Sequence, residues 1–386
     1  MIPVAVTGIG VVNALGHGVE PFWRGLVAGT SGLRPIRRFA AGDALGGEVT
    51  GLDARTLVRT PVGRRIDRVS LMALAACRLA LADAGLAADA IAPARTGLGL
   101  GSAFGNLGET VIFVDRLIAR GAGNPLLFPN LVFNAPLSYV SIELGITGPT
   151  TMVSALEASG EAAIAWGAER VAAGAVDVCL AGGTDELDPT LHEVLRDGGL
   201  LARGPARPFD RAADGVVPGE GGAVLVLEPV ARARARNARV YARIVPQPGF
   251  GVPAPVHGWP EDPTALAEGL AAAAADADAV FAAASGRPEL DALEAAALAA
   301  TVGEGAAVTA VRGAIGDFGA AGAHAAAAAA CAISDGVVPP TVGLVPPARA
   351  GLDVVTGSAR RRPLRVALVN GIARGGLCRP LRLEAV

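Results

Sequence analysis

Apolar residues in this chain fall into two alternating patterns. Short unbroken runs closed by Gly, Asp or Pro read as strands buried on both faces, and longer Ala- and Leu-rich stretches read as helices. PVAVTGIGVV (3–12), TGLGLGSAF (96–104), TTMVS (150–154), VDVCLAGGTDE (176–186) and GAVLVLEPV (222–230) are of the first kind. LMALAACRLALADAGL (71–86) and the stretch after Glu157 are of the second. Strand and helix in alternation predict an α/β fold with central sheets covered by helices.

The second half repeats the first element by element. TALAEGLAAAAADA (264–277) parallels MALAACRLALADAG (72–85), and DAVFAAASG (278–286) parallels TGLGLGSAFG. AAVTAVRGAIGDFGAAGAHAAAAAACAI (306–333) parallels the strand, turn and helix around Glu157, and RVALVNGIARGG (365–376) closes the set. This predicts a duplicated fold with halves at 1–245 and 246–386. The Pro- and Gly-rich stretch 240–263 marks the seam as a connector inside one unit.

Composition narrows the chemistry. With 52% hydrophobic and 18% charged residues in 386, a large core is expected and disorder is excluded. The net charge of −3 gives no reason to expect nucleic acid or an anionic membrane as partner. All 33 basic residues are arginine, so no lysine is available as a base or Schiff-base former. Cys77, Cys179, Cys331 and Cys378 are widely spaced in apolar surroundings, as expected of reduced, buried thiols in a cytoplasmic protein. His17, His192, His257 and His324 make no pair at metal-ligand spacing, so no metal is expected. The N-terminus reads as a strand and not as a signal peptide, and Ala325–Ile333 is too short to span a bilayer. ARARARNAR (231–239) reads as a solvated connector, and Phe128 and Phe133 as packing residues.

Five stretches together carry a resemblance: VAVTGIGVVNALG (4–16), NPLLFPNLVFNAP (124–136), LAGGTDE (180–186), PFDRAADGVVPGEGGAVLVLE (208–228) and RVALVNGIARGG. In this order they resemble the β-ketoacyl synthase family, which implies a thiolase-like duplicated fold, layered α-β-α-β-α. In catalytic members a Cys at a strand–helix turn is acylated, and two His and a Lys serve the condensation. The Cys context V-S-T-A-C-A-S-G reads Val153-Ser154-Ala155-Leu156-Glu157-Ala158-Ser159-Gly160 here, so Glu157 stands for the nucleophile. Ala283 stands for the first His and Arg312 for the Lys. Asp317 stands for the second His, or Gly316 if the register slips by one.

The resemblance therefore implies a chain length factor, the ketosynthase β subunit of a type II polyketide synthase. Such a subunit forms a heterodimer with an active ketosynthase α subunit and shapes the tunnel for a chain carried on the phosphopantetheine of an acyl carrier protein. It also implies that Thr150, Thr151, Met152, Val153 and Ser154 lie at the subunit interface. Glu109, Ile112, Phe113 and Arg116, spaced to share a helix face, are expected at the tunnel or the partner. Ile372 and Arg374 replace aromatic residues of the family's gate loop. Glu157 needs hydrogen-bond donors, and the turn's backbone N–H groups or Arg374 are the candidates. The alternative is a stand-alone decarboxylase or acyltransferase that uses Glu157 or Asp317 as acid or base.

Overall fold

The computed structural model describes residues 1–87, 91–345 and 351–386. Its main sheet contains β1 (Val4–Asn13), β2 (Thr96–Gly101), β3 (Thr150–Val153), β4 (Val178–Asp185), β5 (Gly221–Pro229) and β6 (Ala242–Val245). It continues with β7 (Ala279–Phe281), β8 (Ala307–Thr309), β9 (Asp353–Val354), β10 (Val366–Val369) and β11 (Leu381–Glu384). The principal helices are α1 (Arg68–Asp83), α2 (Leu107–Arg120), α3 (Ala135–Leu144) and α4 (Ser159–Ala172). They are followed by α5 (Pro189–Asp197), α6 (Pro263–Ala274), α7 (Pro288–Thr301) and α8 (Ala321–Asp335).

The duplication is explicit in the strand order, β9-β8-β7-β10-β11-β6-β1-β5-β4-β2-β3. From the edge inward, the first set runs β3-β2-β4-β5-β1 and the second β8-β7-β10-β11-β6, with β9 added outside, so β6 (Ala242–Val245) belongs with the second set although the expected boundary at 245 put it in the first half. Directions repeat as well. β2 is parallel to β3 and β4, and β4 is antiparallel to β5. β7 is likewise parallel to β8 and β10, and β10 antiparallel to β11. The sets join where β1 pairs antiparallel with β6.

Period-two alternation sorts side chains between layers. Ala279 and Phe281 of β7 and Ala181 of β4 face a core shared with α4 and α8. Val280 faces α6 and α7, and Leu180 faces α1 and α3. The result is the five-layer α-β-α-β-α arrangement. α8 is buried along almost its whole length, which explains its alanines: larger side chains would hold the layers apart. At the closest approach of α4 and α8, a Cβ on Gly160 would lie 2.7 Å from the Ala323 nitrogen. Among the described residues no helix is long and apolar enough to cross a membrane.

Candidate functional site

β3 delivers the chain to a tight turn at the N-terminus of α4. Leu156 there adopts φ 48°, a left-handed conformation costly for a branched residue. The Ser159 hydroxyl braces the turn: it accepts from the Ala155 N–H at 3.0 Å and lies 2.6 Å from the Leu156 carbonyl oxygen. The strained turn presents Glu157. Arg374 from the loop after β10 answers that carboxylate twice. Its Nε donates to Oε1 at 2.7 Å and its backbone N–H donates to Oε2 at 3.2 Å. Of the donors expected for Glu157, Arg374 is the one the fold supplies.

The other positions singled out by the resemblance meet behind this pair. Ala283 follows β7 and is buried, with its carbonyl accepting from Arg312 Nη1 at 2.8 Å. Arg312 Nε lies 3.0 Å from Asp317 Oδ1. Burial pushes the Asp317 carboxyl up, and the Arg312 guanidinium opposes that shift. Asp317 is fixed by the VVPGEGG run (216–222), its N–H donating to the Val217 carbonyl and its carbonyl accepting from the Gly219 N–H. Gly316, the other register, packs on Gly219 at φ 91° and offers no functional group. Glu157, Asp317, Arg374, Arg287 and Phe318 line a cavity of about 130 Å³. Among the described residues its wall carries two carboxylates, each held by an arginine, and no thiol or imidazole. All four cysteines are free and buried. His324 is buried between Phe22 and Phe318, and burial lowers it to about 4.

One buried group gave no signal in the sequence. Glu161, one turn beyond Glu157, is wholly buried with no hydrogen-bond partner on either carboxylate oxygen. Gly322 makes room for it: a Cβ there would lie 1.9 Å from the Glu161 carboxyl carbon. Nearby, Glu294 Oε1 accepts from the Ala283 N–H at 2.8 Å and from Asn370 Nδ2 at 2.7 Å. Burial pushes Glu161 and Glu294 each up to about 7.

The four α2 positions do not act as one face. Glu109 and Ile112 line a cavity of about 330 Å³ with Arg38, Arg68 and Glu186. Phe113 instead meets Phe128 edge-on at 6.2 Å, and Arg116 is exposed. Phe128 is 60% exposed and Phe133 37%, so neither packs into a core as expected. β3 is an edge strand: Thr150 is exposed, and Thr151, Met152 and Val153 are half-buried. Ser154 is exposed and Ile372 is buried. The arginine-rich 231–239 stretch is less free than expected, since Arg232 and Arg236 bind the buried Glu228.

Comparison with known proteins agrees with this geometry. The N-terminal domain model of β-ketoacyl synthase matches residues 1–233 and the C-terminal domain model residues 264–345. The chain is 35% identical over 404 residues to the tetracenomycin polyketide synthase ketoacyl synthase beta subunit of Streptomyces glaucescens, covering 97% of this chain and 95% of that protein. It is 30% identical over 415 residues to 3-oxoacyl-[acyl-carrier-protein] synthase 2 of Coxiella burnetii, covering 99% and 98%. Among solved structures, the ishigamide ketosynthase/chain length factor superposes with a TM-score of 0.92 at 28% identity, over 100% of this chain and 99% of that one. Matched by both domain models and aligned with such relatives along nearly its whole length, the chain belongs to the β-ketoacyl synthase family.

Proposed function

We propose that this chain is a chain length factor of a type II polyketide synthase. It forms a heterodimer with an active ketosynthase and shapes the tunnel, while the partner performs decarboxylative condensation on an acyl carrier protein. The observation that carries this reading is the ion-paired set Glu157–Arg374 and Arg312–Asp317 at the positions of nucleophile, lysine and second histidine. A carboxylate cannot form a thioester, and its mixed anhydride would be too labile to carry a chain. Among the described residues the pocket lining holds no imidazole to serve an enolate, and of its two guanidinium groups that of Arg374 is already paired with Glu157. A stand-alone decarboxylase using Glu157 or Asp317 is disfavoured for the same reason, since both carboxylates are engaged by guanidinium groups.

The surface supports a partner. α2 buries none of its residues against the rest of the chain. Ile118 is 79% exposed, and Ile112, Leu117 and Phe128 stand exposed with it. A surface that apolar is the pattern of an interface, and β3 separately offers an unpaired strand edge. The phosphopantetheine arm would then enter as the substrate's carrier and not as a resident cofactor.

The test is co-expression with a cognate ketosynthase, size-exclusion chromatography and a condensation assay with acyl- and malonyl-carrier protein. A one-to-one complex that needs both chains, and that falls silent when the partner's nucleophilic cysteine is replaced, supports the proposal. A homodimer that turns over malonyl thioesters alone overturns it.

A further inference from the structure

Two cavities meet at Arg287. The inner one holds Glu157, Asp317 and Arg374 and measures about 130 Å³. That is room for about four waters at ~30 Å³ each, and too little for an acyl chain with its carrier arm. The outer one, about 590 Å³, is bounded by Pro255, Trp259, Pro260 and Leu293. Arg287 and Leu200 belong to both walls, so the arginine side chain stands as a partition. Its guanidinium carbon lies 5.8 Å from the centre of the Trp259 ring, within cation–π reach. On its inner side the same charge acts on Asp317.

Both halves of this contact are anchored. Arg287 immediately precedes α7, and its carbonyl accepts from the Asp291 N–H at 2.9 Å. Trp259 sits on a segment stitched to the Arg374 loop. The Gly375 N–H donates to the Gly258 carbonyl at 2.9 Å, and the Val252 N–H donates to the Gly376 carbonyl at 2.8 Å. The fit is tight, since a Cβ on Gly376 would lie 1.8 Å from the Val252 oxygen. Three segments therefore converge on one mouth, bringing Arg287, Trp259 and Arg374.

We infer that Arg287 and Trp259 form a clasp that closes this pocket to a carrier-borne acyl thioester. The chain then refuses substrate at its own mouth, in addition to lacking the groups to use it. This rests on the function proposed above and deepens it: delivery of the chain is confined to the partner subunit.

The experiment places a thiol behind the clasp as Glu157→Cys, in the complex with the ketosynthase whose own nucleophile has been replaced by serine. Alkylation by chloroacetyl-pantetheine is compared with alkylation by iodoacetamide on the same protein, with peptide mass spectrometry reading the label on the introduced cysteine. The long reagent should react slowly relative to the short one. Arg287→Ala or Trp259→Ala should raise that ratio about ten-fold, equivalent to about 1.4 kcal/mol of closure. A disturbance that merely freed the thiol would raise both rates together and leave the ratio unchanged. An unchanged ratio in both variants overturns the clasp, as does rapid labelling by the long reagent with the clasp intact. If the Trp259 variant fails to fold, the Arg287 variant alone decides. The condensation assay is read separately, so a chain active without its partner would overturn the proposed function whatever the labelling ratio shows.

Discussion

Glu157 stands at a half-buried turn, where a carboxylate is tolerable only with donors at hand. Arg374 supplies them from side chain and backbone. Glu157→Ala should therefore leave Arg374 short of its partner and cost about 1 kcal/mol. The double variant with Arg374→Ala should cost less than the sum of the singles, as urea denaturation would show. Arg312 is more deeply committed. Arg312→Met strands Asp317 beside an unmatched carbonyl and should cost about 3–5 kcal/mol, with much of the loss recovered by adding Asp317→Leu. Glu161 and Glu294 set a pH dependence. Unfolded, both titrate near the ordinary 4.5, and folded they are held at about 7. Between those values the unfolded chain has lost protons that the folded chain keeps, so stability falls as pH rises from about 4.5 to 7 and levels off above. The loss is on the order of 3 kcal/mol per group at most, and thermal midpoints of wild type and Glu161→Leu across that range would reveal it. Glu157, Ala283, Arg312 and Asp317 could be singled out in the sequence because a motif frames each, and the fold brings them together. Glu161 could not be, because an acid inside an Ala-rich helix announces itself only once Gly322 and Gly371 are seen to clear space for it.

Among the elements, the buried strands were readable because both faces of each are covered, and uninterrupted apolar runs follow from that. The repeated strand order was only half legible. Matching segments suggested duplication, yet the β1–β6 pairing that joins the sets links residues more than two hundred positions apart, and no local pattern encodes it. α2 shows the limit of periodicity. Spacing put Glu109, Ile112, Phe113 and Arg116 on one face, but an apolar face reads the same whether it meets its own core or another chain. The fold leaves this helix without a buried residue and turns Phe113 to Phe128. Its exposed side should then matter to assembly and not to folding. Ile118→Asp should change the isolated chain's stability by no more than about 0.5 kcal/mol. The same change should weaken association with the ketosynthase by ten-fold or more, about 1.4 kcal/mol in binding free energy. Analytical ultracentrifugation of the mixed subunits reads one effect and urea denaturation the other.

At the scale of the whole molecule, one sheet system surrounds two central helices, and the proposed function would act through β3 and α2 and not through the turn at Glu157. The pocket at Glu157 measures about 130 Å³, whereas the cavity beside α2 is about 330 Å³. Under the proposed function the chain should set product length through the larger of these two spaces, and Ile112 lines it while Phe113 meets Phe128. The pair gives a directional test in the assembled complex. Ile112→Trp fills the cavity and should shift products to shorter chains with little change in total condensation rate, because the partner's catalytic groups are untouched. Phe113→Trp, on the side facing Phe128, should leave the length distribution unchanged. Mass spectrometry of the released products reads both. Equal shortening by the two substitutions would mean that the helix sets length by its position and not through this cavity. No shift from Ile112→Trp in a complex that still forms and condenses would remove α2 from length control altogether.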